Sequence, residues 1–287
     1  MKLKRSVERV GNRSGRRSSA SKPILMRRIA ALVTLCAALV VPAAPAGQAP
    51  GFDETFAALI DRLERAYVGG DGPELLAVRA DLTDLLDTGL TAGERSVTLY
   101  TVAYVSWRLF TVPDAVPADD RAALLDDAVD LLTRDLEADD GNAESHALLA
   151  SVYGMQIDSA WKGMTLGRRA SRASARALEL APGNPRVLLQ DGVGKLHTPG
   201  MFGGGADRAE AMLLRALAAF RTEPPDRPWP RWGLIDTHAW LGQISVERDD
   251  LAAARRHYEQ ALDLEPGFAW VRYALLPALE ERARQER

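Results

Sequence analysis

From Phe52 onward the apolar side chains recur three and four residues apart, the spacing that gathers them on one face of an α-helix. In "FDETFAALIDRLERAYV" that face holds Phe56, Leu59, Ile60 and Leu63. In "PELLAVRADLTDLLDTG" Pro73 stands near the start and Gly89 beyond the end, the usual punctuation of a helix. These two segments predict an N-terminal helical pair over residues 47–91. At the other end "FAWVRYALLPALEERARQER" predicts an amphipathic C-terminal helix over 269–287, polar enough to cap a stack of helices. Valine and isoleucine rarely alternate with polar residues, so strands find no support. The expected fold is all-α.

Between the two ends the pattern repeats. In "IDTHAWLGQISVERDDLAAARRHYEQALDLEPG", Leu241 and Gly242 are followed by Ala254, Tyr258, Ala261 and Pro266. Small Gly242 and Ala254 let two antiparallel helices approach, and Pro266 bars continuation of the second. Looser copies place Leu149, Ala170, Ala177 and Pro182, then Leu189, Ala209 and Ala216, at related offsets. "DDAVDLLTRDLEADDGN" aligns on "RRASRASARALELAPGN" and adds a fourth, with "SVTLYTVAYVSWRLF" as its partner helix. This skeleton resembles the tetratricopeptide repeat, with its period of about 34 residues. The resemblance implies antiparallel helix pairs stacked as a right-handed solenoid, about four repeats over 92–268. Two copies are longer between their helices and hold "SAWKGMTL" and "KLHTPGMFGGG", read as long loops between helix A and helix B. The Phe-Gly-Gly linker and "FAWVRYALLPAL" look like those of secreted bacterial tetratricopeptide proteins. More distantly, the plan is similar to the periplasmic helical-repeat component of TRAP-type transporters.

Charge and hydropathy set the N-terminus apart. Of 36 Lys/Arg and 39 Asp/Glu, ten and one fall in residues 1–46, leaving 26 and 38, a net of −12, for the remainder. Non-specific nucleic-acid binding needs a basic face to displace counterions, and none is visible in the sequence of this acidic body, so no nucleic-acid partner is expected. Residues 26–46 read "MRRIAALVTLCAALVVPAAPA": two arginines, a 13-residue apolar run and a small-residue cleavage site. That is the layout of a secretory signal peptide, here over 1–46 with a long basic leading region or a start at Met26. The run is short of the roughly 20 residues of a membrane span. Export to the periplasm or beyond is expected, with no span left after cleavage; an uncleaved segment would instead tether the protein. Cys36 lies in that run and lacks the small preceding residue of a lipoprotein signal, so the mature chain is expected to carry no disulfide and no thiol chemistry.

No catalytic constellation stands at a recognisable spacing. Gly203-Gly204-Gly205 lacks the Lys-Ser/Thr of a phosphate loop and follows a helix instead of a strand. Asp207 in the next helical turn disfavours an anion there. The run reads as a turn, with a ligand-lining loop as the alternative and Met201 and Phe202 tucked back as a plug. His146, His197, His238 and His257 are dispersed, without metal spacing. "PPDRPWPRWG" offers Trp229 and Trp232 either as a staple onto the solenoid or as a stacking surface for a ligand. Trp161 and Lys162 carry the same ambiguity. The reading is an exported scaffold, not an enzyme and without a cofactor, that binds a protein or peptide on its concave face. Trp161, Lys162, Met201, Phe202, Trp229 and Trp232 are the candidate contacts. A small-molecule receptor, with the insertions closing an apolar pocket, is the alternative. The partner's identity and the oligomeric state stay open.

Overall fold

The computed structural model describes residues 51–285. Residues 1–46, with Cys36 and the expected signal peptide, lie outside the described residues. Among those described, eleven α-helices follow one another without a strand. They are α1 (Phe52–Gly69), α2 (Gly72–Leu86), α3 (Ala92–Thr111), α4 (Arg121–Ala138), α5 (Ala143–Met155), α6 (Ala160–Leu180), α7 (Pro185–Leu196), α8 (Ala206–Phe220), α9 (Leu234–Glu247), α10 (Leu251–Leu264) and α11 (Leu276–Gln285). None is long and apolar enough to cross a membrane.

The helices start where polar side chains take up the free N–H groups of a first turn. Thr91 and Glu94 form a reciprocal capping box on α3. Asp71 caps α2, Asn142 caps α5, Asn184 caps α7 and Asp250 caps α10. The two asparagines occupy the same place in successive units: α4 and α6 end, and α5 and α7 begin, 42 residues apart. Local chemistry thus sets the period before any packing does.

Consecutive helices pack as pairs, α1/α2, α3/α4, α5/α6, α7/α8 and α9/α10, and the first helices of neighbouring pairs touch from α3 through α5 and α7 to α9. The repeat positions build the contacts within pairs. Ala177, Ala209, Ala216, Ala254 and Ala261 are wholly buried, Leu149, Leu189, Leu241 and Tyr258 nearly so. A side-chain carbon on Gly242 would stand 2.2 Å from the Tyr258 ring, so only glycine lets α9 meet α10 here. Pro182 and Pro266 are exposed, two residues past the ends of α6 and α10. Ala170 is only half-buried.

One expectation is corrected. Residues 159–166 are not a loop: Ser159 caps α6, and the inserted residues form its first turns, making α6 21 residues long against 14 for α10. The insertion contains helix formers and a good cap, so it extends helix B instead of the connection. At the C-terminus a π-helical turn (Trp270–Leu275) runs into α11. Leu276 N–H donates to the Val271 carbonyl, five residues back, just ahead of Pro277, whose ring and missing N–H would disturb a regular helix.

Candidate functional site

The most constrained place in the molecule is the inner side of α3. Thr98 through Leu109 are all buried, including Ser106 and Arg108, so this helix has no solvent face over three turns. What covers it is the segment 221–233 between α8 and α9. Its prolines keep it from forming a helix, and it crosses the first helices of several pairs. Trp229 Nε1 donates to Thr101 Oγ1 at 2.9 Å, and Trp232 Nε1 to the Tyr100 hydroxyl at 3.1 Å. The Tyr104 ring lies 4.8 Å from that of Trp232 and 5.6 Å from that of Trp229. Arg227 Nη2 donates to Glu144 Oε1 at the start of α5 (2.8 Å), and Arg231 Nε to Glu64 Oε1 on α1 (2.9 Å). Arg186, 1% exposed on α7, makes a two-pronged pair with Glu223, both bonds 2.7 Å.

Beneath the segment sits a buried ion pair. Arg108 Nη2 lies 2.9 Å from Asp236 Oδ1 at the start of α9, and Arg108 Nε donates to the Tyr104 hydroxyl at 2.9 Å. The guanidinium is 3.9 Å from the ring centre of Tyr67 and 4.3 Å from that of Trp107, in cation–π geometry. The Tyr67 hydroxyl donates to Asp236. Burial works against the charge on Arg108, but the Asp236 carboxylate and the tyrosine oxygens outweigh it and hold the group above its ordinary value. Burial also pushes the Tyr67 hydroxyl well up, so it stays a donor. The end of α1 continues to the far end of the series, where the Tyr67 and Phe268 rings are 5.8 Å apart.

The candidate contacts therefore divide. Trp232, at 8% exposure, presents no free ring face: of the two readings offered for it, the staple onto the solenoid holds and the stacking surface does not. Trp229 does the same but keeps an edge on a cleft of about 380 Å³, shared with Val97, Tyr100, Asn142, Glu144 and Pro230. Trp161 is 70% exposed in the first turn of α6, where Lys162 pairs with Asp158 at 2.7 Å. Met201 and Phe202 are 84% and 73% exposed, so they do not tuck back as a plug. Nor do Trp161, Met201 and Phe202 wall an enclosed pocket.

The glycine run closes a turn. Gly203 and Gly205 have φ of +88° and +105°, and a side-chain carbon on Gly204 would fall 1.9 Å from the Thr198 carbonyl oxygen. Their N–H groups donate to the carbonyls of Gly200, Pro199 and Lys195, which leaves none to cradle a phosphate. Reasoning from sequence missed Arg108, Asp236 and Arg186. The signal was present in "TLYTVAYVSWRL", an aromatic-rich stretch without a polar face, which a helix covered on one side only would not carry.

Comparison with known proteins agrees with this architecture. Among solved structures, the thermophilic TPR protein TTC0263 of Thermus thermophilus is similar over 80% of this chain and 99% of its own, at 17% identity and a TM-score of 0.57. The HusA haemophore of Porphyromonas gingivalis is similar over 70% of this chain and 96% of its own, at 23% identity and a TM-score of 0.56. No family model and no curated protein sequence matches the chain. At these identities the likeness is one of fold: this is a TPR-like, all-helical repeat protein.

Proposed function

We propose that the protein is an exported, non-catalytic scaffold that binds a protein or peptide partner on its concave inner face. The linker is the observation behind this reading. An extended, proline-rich segment lies across α3, α5 and α7, held by indole hydrogen bonds, ring contacts and arginine–carboxylate pairs. Helix-pair stacks offer extended surfaces of this kind, and one that grips its own segment has the groups to grip another beside it. The cleft next to Trp229 is where that continuation would lie. Export rests on the charge and hydropathy of residues 26–46.

A small-molecule receptor is the second reading, and the same cleft favours it. HusA, of similar fold, is named a haemophore. Native mass spectrometry of the protein recovered from the extracytoplasmic fraction of its host separates the two. A co-purifying polypeptide, lost when Val97→Arg fills the cleft, supports the scaffold. A small, constant added mass supports the receptor. A bare chain at every concentration overturns both, and recovery from the cytoplasm alone overturns export.

A further inference from the structure

Nine large apolar side chains stand out into solvent among the described residues, and five of them cluster where two helix pairs turn: Ile157 between α5 and α6, Trp161 and Met164 in the first turns of α6, and Met201 and Phe202 between α7 and α8. Because α5 packs on α7 and α6 on α7, these connections lie on one edge of the stack. We propose that this edge docks on an anionic phospholipid surface.

Three observations carry the proposal. The first is protrusion. Trp161, Met164, Met201 and Phe202 are 58–84% exposed on tips, not along a groove. A protein partner would need a separate pocket for each, whereas the fluid interface of a bilayer admits each one where it stands. The second is charge. The segment Ala160–Leu180 carries five basic residues and one acidic residue in a body whose net charge is −12. Arg168, Arg169 and Arg172 are exposed, and no carboxylate among the described residues pairs with them. The acidic groups of the edge are already engaged: Asp158 by Lys162 at 2.7 Å and Asp207 by Arg248 at 2.6 Å. Asp114, Asp119 and Asp120 stand in the neighbouring α3–α4 connection, residues 112–120, and the proposed surface is confined to the two connections beyond it.

The third is geometry. At about 3.6 residues per turn, Trp161, Arg168 and Arg172 fall within roughly 40° of arc, its centre turned about 120–160° away from Ala173 and Ala177, the buried residues of α6. At about 1.5 Å per residue, Arg168 stands roughly 10 Å behind Trp161. An apolar tip with cations set back by that distance matches acyl chains below a headgroup layer. The proposal is independent of the inner-face reading.

The test uses the full chain with Cys36→Ser as background. Phe202→Cys carries an environment-sensitive nitrobenzoxadiazole label, and vesicles are equal parts phosphatidylcholine and phosphatidylglycerol. The expected result is a several-fold rise in emission with a blue shift, and no change with phosphatidylcholine alone. The same label at Tyr273→Cys, on the C-terminal helical segment, should stay unchanged. Each cation near an anionic surface is worth roughly fivefold in partitioning, so Arg168→Gln, Arg169→Gln and Arg172→Gln together should raise the lipid needed by about a hundredfold. Circular dichroism checks that this variant keeps its helices. No response at Phe202→Cys overturns the proposal. So does an equal response to neutral vesicles, or one at Tyr273→Cys, which would report adsorption through another part of the chain. A response to polyglutamate without vesicles overturns it in favour of an acidic protein partner.

Discussion

The segment 221–233 and the edge at Trp161 and Phe202 use the same residue types to opposite ends. Both interrupt the regular helix pairs, both are rich in proline or glycine, and both carry large apolar rings. In the first, every ring has a polar or aromatic partner: Trp229 meets Thr101, Trp232 meets Tyr100 and Tyr104. In the second, Trp161 and Phe202 are 70% and 73% exposed. The difference lies in what each insertion can reach. The linker crosses α3, whose inner side offers aromatic rings and buried hydroxyls, so burial of an indole there releases water from both surfaces and still leaves its N–H a partner. The α6 extension runs past the end of α5 and has no neighbouring surface to cover. Trp161 is thus left in solvent while Trp232 is buried and Trp229 partly so.

The comparison breaks hardest at the ion pair under the linker. Asp236→Ala would leave Arg108 charged, 5% exposed and unpaired, a change worth about 3–5 kcal/mol of stability. Urea unfolding should show it as a lower midpoint; a midpoint within error of the parent would mean that the inner face is not the keystone of the stack.

Acid should weaken the interior next. Burial, with His257 and Arg221 nearby, lowers His238 to about 4 from its ordinary 6.5, and burial also lowers His257. Below 6.5 the unfolded chain takes up protons that the folded chain refuses. Stability should therefore be flat above about pH 6.5 and fall as the pH drops toward 4. His238→Gln should flatten part of that slope in pH-dependent melting curves, and an unchanged slope would assign the acid response elsewhere.

The smallest effect belongs to the edge. Phe202→Asp and Trp161→Ala replace exposed side chains and should move stability by less than about 0.5 kcal/mol, while removing whatever docks there. A large drop in melting temperature for either would place that residue in the core and erase the contrast.

The fold class was legible because small and aromatic residues at Gly242, Ala254, Tyr258 and Ala261 encode a close approach of two helices, which is a local matter of spacing. The glycine run was legible as a turn for the same reason. The inner face was not. Arg108 and Asp236 are 128 positions apart in sequence, and nothing in either neighbourhood announces the other. The α6 extension was misread as a loop because its length was judged from the spacing of repeat positions and not from its own helix-forming residues. Trp232 as a staple and Trp161 as a free ring could not be told apart from composition, since both stand in polar surroundings between the helices of the repeat pattern.

The pairing of Tyr67 with Asp236 and Phe268 has a consequence for the order in which this chain acquires its structure. In most helical repeats each unit needs only its neighbour, so folding can begin wherever two units are complete and spread from there. Here the first helix shares its partners with the last pair. A ribosome or a translocation channel delivering the chain from its N-terminus would have to release more than 160 further residues after Tyr67 before that helix found its final contacts. Closing so long a loop slows folding, and once it is closed the first described helix is tied to the last helix pair.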